Sequence, residues 1–329
     1  MRKLVTGAGG YLAEQLILRL SDSGHQVSAM YRSDYNKSIK SENIQWIKGD
    51  LMDIDSLRNA VLGCEEVYHV AAFAKSWAKD PRMFYDVNVG GTINLIEAAK
   101  EAGVKRIVVT STAGAIGPAN VDKFVTEDQY RRIDFFGDYE SSKFIMNEKI
   151  LDYVRKGMDI RIVCPSRIFG PGNLGSKGST MTQILRSYLL GKWRIQLGSG
   201  TDRANYVYID DVVQGHLLAM EKGAAGEKYL IGSFNESFSG LMSSLSQISG
   251  KKYKLYKIPF GVLGFYANVV GVIAKIFNFD PVITKDWVNK LHQNWQADIS
   301  KAKNELGFEP TSKEEALRKT IEWINKESK

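Results

Sequence analysis

Cysteine and histidine are both scarce in this 329-residue chain, which has two of the first and four of the second. Cys64 and Cys164 lie in apolar or turn contexts and build no disulfide framework, so they read as reduced core thiols of a cytosolic protein. His25, His69, His216 and His292 are scattered, and no metal-ligand spacing emerges. No signal peptide is expected ahead of the strand-like run that begins at residue 2, and no internal repeat or low-complexity tract is evident. There is no helix of clustered arginines, no zinc-finger spacing and no aromatic–basic sheet motif, which leaves nucleic-acid binding without support.

What is present describes a soluble protein with a real core: 44% of residues are hydrophobic and 25% charged. The length allows one large domain or two unequal ones. A net charge of +7 suits an anionic ligand, a phosphate-bearing substrate or an acidic membrane surface.

From residue 2 to about 165, short apolar runs alternate with helical patterns. "KLVTG", "QVSAMY", "IQWIKGD", "EVYHVAA", "KRIVVTST" and "IRIVCPS" are Val/Ile-rich and almost continuously apolar, as strands of a parallel sheet covered on both faces are. Residues 83–103 predict an amphipathic helix ending on a C-terminal glycine. The expectation is an α/β fold, a doubly wound parallel sheet. A smaller, mostly helical substrate domain is expected from segments that leave the sheet and return. The nucleotide-binding part would be residues 1–165 plus about 205–232, and the second part about 166–204 plus 233–329. "GPGNLGSKGS" (170–179) reads as a ligand-facing loop.

The first strand runs into "VTGAGGYLAEQL". Gly7 permits a tight turn, Gly10 lets backbone N–H groups approach a pyrophosphate, and the following helix directs its N-terminus at the negative charge; Ala13 takes the place of the third glycine. At the end of the second strand Tyr31 stands where an NAD site would place an acid, and Arg32 follows, with Lys37 within reach. A guanidinium suits the 2′-phosphate of NADP, although Asp34 would serve NAD if the strand ran longer. Thr110, Ser111 and Thr112 end the fifth strand at the ligand-binding edge. The next long helix opens "YESSK", which sets Tyr139 and Lys143 one turn apart on one face. The same spacing occurs at Tyr188…Lys192 and Tyr253…Lys257, but neither pair has this setting.

Taken in order, "TGAGGYLA", "GDL", "VAA", "NVGGT", "TST", "YESSK", "CPSRIFGPG" and "RANYVYIDDV" resemble the extended short-chain dehydrogenase/reductase family across nearly the whole chain. Within it, the chain is similar to the branch of 3β-hydroxysteroid dehydrogenases and dihydroflavonol reductases. The resemblance implies a cofactor site of Gly7, Gly10, Tyr11, Leu12, Arg32, Asp50, Leu51, Ala71, Ala72, Lys143, Pro165 and Ile168, with the last two near the nicotinamide. Asn88 would sit in the helix backing the active site. It implies a catalytic set of Thr112, Tyr139 and Lys143. Tyr139 would move the proton, its phenol drawn below the usual value of about 10 by the Lys143 ammonium and a positive nicotinamide. Arg203 stands where sugar-nucleotide members place a diphosphate-binding arginine.

Thr112 is followed by Ala113 and Gly114, not by the Asp-Glu of the family's sugar dehydratases, which disfavours dehydration. The expected activity is NADP(H)-dependent interconversion of a ketone and a secondary alcohol on a bulky, apolar substrate, with NAD(H) as the other cofactor and an NAD-retaining sugar-nucleotide epimerase as the other reading. Family habit implies a homodimer through helices 83–101 and 139–156. The uncharged stretch 258–274 follows four lysines and is too short and glycine-rich for a membrane span. It reads as a helix buried over the cleft, or else as a peripheral membrane contact by way of 251–274.

Overall fold

The computed structural model describes residues 2–33, 39–120, 122–131, 133–172, 178–277, 279, 281 and 283–327. The six apolar runs of the first half are its first six strands: β1 (Arg2–Thr6), β2 (Gln26–Tyr31), β3 (Ile44–Lys48), β4 (Glu66–His69), β5 (Arg106–Thr110) and β6 (Ile160–Pro165). With β10 (Lys228–Ile231) they build one wholly parallel sheet in the order β10-β6-β5-β4-β1-β2-β3. Consecutive residues of these strands enter different cores. Val5 and Val108 join one hydrophobic cluster, and Leu4 and Val109 the other. Both faces are therefore covered, which is why the strands show no polar alternation.

Helices α1 (Tyr11–Asp22) and α8 (Ile209–Lys222) pack on the Val5 side. On the other side lie α2 (Ile54–Val61), α4 (Gly91–Glu101) and α6 (Asp138–Arg155), while α5 (Ala113–Ile116) is a single turn after β5. The helix expected over 83–103 is α3 (Arg82–Tyr85), a π-helical turn (Asp86–Gly90) and then α4. The interruption has visible anchors. Asn88 accepts the Phe73 N–H at 2.7 Å and donates to the Ser142 hydroxyl at 2.9 Å. A Cβ at Gly91 would lie 2.7 Å from the Leu51 Cβ.

The rest of the chain forms β7 (Arg167–Phe169), β9 (Arg203–Tyr208) and β11 (Phe234–Ser237) as a small sheet, with β8 (Ile195–Leu197) beside β12 (Tyr256–Ile258). Its helices are α7 (Thr180–Leu189), α9 (Phe238–Ser249), α10 (Phe260–Phe277), α11 (Lys285–Leu291), α12 (Ser300–Leu306) and α13 (Lys313–Glu327). Residues 203–208 thus pair outside the large sheet, and the chain rejoins it through α8 and β10.

The expectation of a buried 258–274 helix is overturned. Among the described residues of α10, Leu263, Ala267 and Ala274 are the ones buried, because α11 and the β8–β12 ribbon cover one side alone. The two other Tyr…Lys pairs also find a structural role: Tyr188 and Tyr253 pack edge to face, their ring centres 5.4 Å apart. No helix among the described residues is long and apolar enough to cross a membrane.

Candidate active site

β1 lies between β4 and β2, so the chain leaves it in both directions and a crevice opens beyond the carboxyl ends of the strands. The crevice is a cleft of about 590 Å³. Gly7, Gly10, Tyr11, Leu12, Arg32, Asp50, Leu51, Ala71, Ala72 and Lys143 all line it, as does Tyr139.

The local reasons are specific. Gly7 has φ +76°, and a Cβ there would come within 2.8 Å of the Ala71 Cα, so the β1 turn and the segment after β4 touch backbone to backbone. The N-cap of α1 is Gly10, and no side chain caps it. Its first-turn N–H groups therefore start at the cleft as donors for an anion. Arg32 follows the last residue of β2 and is exposed at the rim. Asp50 turns its carboxylate onto the Met52 N–H at 2.9 Å, while the Asn94 amide holds the Leu51 carbonyl at 2.9 Å. This cradle, with Arg32 on its rim, has the glycine turn and the uncapped helix start that a dinucleotide needs. Asp34 and Lys37 lie outside the described residues.

Tyr139 and Lys143 occupy the first turns of α6 and meet the cleft together. Lys143 is 2% exposed and donates to the Thr110 carbonyl at 2.9 Å. Burial pulls its ammonium down to about 8. The phenol moves the other way: burial raises Tyr139, and the charge of Glu140 adds to the rise. The expectation that Lys143 acidifies it is thus reversed in the protein alone, since desolvation of a would-be phenolate dominates. Cys164 is held up to about 12 by burial, which leaves it a packed, inert thiol.

Other expected residues stand further off. The Thr112 hydroxyl oxygen caps α5 by accepting the Gly114 N–H at 3.1 Å, and Thr110 lines the cleft in its place. Pro165 is enclosed at the end of β6, and Ile168 lines a different chamber of about 330 Å³. Arg203 is directed onto Gln296 at 2.6 Å and the Asn235 carbonyl at 3.4 Å, and it lines none of the cavities described here.

Two features had no signature in the sequence. Tyr139 also lines a second, larger groove of about 950 Å³, whose opposite wall is α10. Lys290 of α11 binds Glu140 and lines both the groove and the smaller chamber. Glu140 and Lys290 are 150 positions apart, beyond any spacing rule. Ser33, which also lines the cleft, adjoins Arg32 and was within reach of the same argument.

A family model described as NAD dependent epimerase/dehydratase matches residues 3–232. A Synechocystis sp. protein named "Putative dihydroflavonol 4-reductase" is 31% identical over 326 residues, covering 97% of this chain and 93% of its own. The sterol-4-alpha-carboxylate 3-dehydrogenase, decarboxylating, of Mus musculus is 25% identical, covering 97% and 89%. Among solved structures, UDP-glucose 4-epimerase of Thermotoga maritima with UDP-glucose superposes with a TM-score of 0.80 at 25% identity, covering all of both chains.

Proposed function

Since the chain belongs to the NAD dependent epimerase/dehydratase family, of the extended short-chain dehydrogenase/reductase type, we propose that it is an NADP(H)-dependent oxidoreductase. It interconverts a ketone and a secondary alcohol on a bulky, apolar substrate. The observation carrying this reading is that Tyr139 lines both the nucleotide cleft and the large groove beside it. A single side chain thereby borders both the proposed cofactor side and the proposed substrate side.

The nicotinamide, when bound, supplies or accepts the hydride and brings a positive charge in its oxidised form. The chain's residues do the rest. Tyr139 gives its proton to the ketone oxygen in reduction and takes it back in oxidation. Lys143, pinned by the Thr110 carbonyl, holds the ribose and places an ammonium near a phenol that burial otherwise keeps protonated. Thr112, which caps α5 and borders none of the three cavities, would orient the substrate oxygen with its hydroxyl proton once the substrate reaches the end of β5. Arg32 at the rim favours the 2′-phosphate, hence NADP(H) over NAD(H).

An apolar substrate reaching from the groove past Thr180, Trp287 and Lys290, which line groove and chamber alike, would meet Ile168, Met181, Ile184, Trp193 and Phe238 in the smaller chamber. A sugar-nucleotide epimerase draws support from the likeness to UDP-glucose 4-epimerase, but Arg203 is occupied by Gln296 here. We also infer a cytoplasmic homodimer using the face that α4 and α6 share, where Tyr153 donates to Glu97 at 2.7 Å.

Titration of the purified protein with NADPH and NADH, followed by a screen of lipophilic ketones, tests the proposal. Tighter NADPH binding with ketone-dependent oxidation of the cofactor is the expected result. Firmly held, copurifying NAD with no net reduction would establish the epimerase instead.

A further inference from the structure

We infer that the outward face of α10, with the basic rim beside it, seats on an anionic lipid surface and opens the substrate groove towards it. A helix on a globular protein normally turns polar residues to water. This one turns Val262, Phe265, Tyr266, Val272, Ile276 and Phe277, with Phe265 73%, Ile276 70% and Phe277 74% exposed. Large contiguous apolar faces mark interaction sites.

The charge around the face identifies the occupant. Pairing of β12 with β8 brings Lys254 and Lys257 alongside Lys192 and Arg194. Lys192, Lys252, Lys254 and Lys257 are exposed, and the Arg194 guanidinium stacks on Tyr253 at 4.0 Å. No acidic residue occurs from Ser237 to Phe279. A second copy would therefore bring two like-charged rims together, whereas an anionic bilayer offers headgroups to the lysines and an acyl boundary to the aromatic and aliphatic side chains. Since no described helix is suited to crossing a membrane, α10 lies on the surface.

The same helix bounds the groove that ends at Tyr139: Ala267, Asn268, Gly271 and Val272 line it, and Val272 is also 61% exposed. The groove mouth thus belongs to the docking face. A lipid-dissolved substrate passes from the bilayer to Tyr139 without crossing water; this second part rests on the apolar-substrate reading above.

The test is co-sedimentation of the full chain, without cofactor or substrate, with phosphatidylcholine vesicles lacking or containing phosphatidylserine. The wild type is expected to pellet with the phosphatidylserine vesicles at low salt and to be released as salt rises. Phe265→Glu/Ile276→Glu should abolish pelleting, and Lys252→Gln/Lys254→Gln/Lys257→Gln should weaken it roughly fivefold per lysine. Both variants should keep the wild-type circular dichroism and NADPH affinity, since these side chains lie outside the nucleotide cleft. The proposal is overturned if the wild type stays in the supernatant at low salt, or if the lysine variant, folded, pellets undiminished. It is also overturned if light scattering shows a dimer that Phe265→Glu/Ile276→Glu converts to monomer while the wild type ignores vesicles. A failure of NADPH binding in the same samples would count against the oxidoreductase reading and leave the docking result intact.

Discussion

Lys290 reaches from α11 to the carboxylate of Glu140, the residue that follows Tyr139 on α6. Glu140 is only 7% exposed, so this contact neutralises a buried charge next to Tyr139 and ties α11 to α6. Lys290→Met leaves that carboxylate without its cation. Stability should fall by about 1–3 kcal/mol, a breakage cost discounted because the lysine is partly exposed. Thermal unfolding of Lys290→Met and of Lys290→Met/Glu140→Gln measures this, and the double variant should regain most of the loss.

Lys143 carries a stability cost, which the proposed role would account for. Its ordinary value of 10.5 drops to about 8 on burial. A cation so depressed destabilises the fold fully below about pH 8, and the cost is relieved as pH rises from there towards the unfolded value. Lys143→Met should therefore raise stability at neutral pH by about 1–3 kcal/mol while eliminating turnover. Denaturant unfolding at pH 7 and pH 10 should show the gain shrinking at the higher pH.

The same titration sets the pH profile. Burial keeps the Tyr139 phenol protonated, so if the protein reduces a ketone as proposed, the group lost first with rising pH is the Lys143 ammonium, and reductive kcat/KM should decline as pH passes about 8. Tyr139→Phe should lower kcat by roughly 10²–10⁴-fold with NADPH binding retained, measured by steady-state assay and titration.

Gly7→Ala combines a left-handed φ with a Cβ 2.8 Å from the backbone of Ala71. Neither partner is a flexible side chain, so the strain has nowhere to relax. A loss of about 1–3 kcal/mol and of dinucleotide binding is expected, read by thermal shift with and without NADPH.

Arg32→Ala should cost about 10- to 100-fold in NADPH affinity, the worth of a charge-assisted contact, and leave NADH affinity within a factor of about two. Parallel fluorescence titrations with the two cofactors give the ratio. Equal losses for both would remove Arg32 from the 2′-phosphate.

Much of this molecule was legible in its residues because parallel strands buried on both faces carry a local mark. β1 to β6 each stand on an apolar run, and the Gly7–Gly10 turn and the Tyr139–Lys143 helix opening are contained within a few consecutive positions. The π-helical turn at Asp86–Gly90 was not legible, since it answers to Phe73, Ser142 and Leu51 from distant segments. Nor was it legible that Arg203 donates to Gln296, 93 positions further along the chain.

By itself, then, the sequence determined the α/β architecture and the cradle at the end of β1, because hydrophobic period and turn chemistry act between neighbours. Tertiary structure alone decided that Glu140 is neutralised by Lys290, that burial raises the Tyr139 phenol in the protein by itself, and that α10 keeps an apolar face outward. Each of those depends on which groups are brought together, or left uncovered, once water has been excluded.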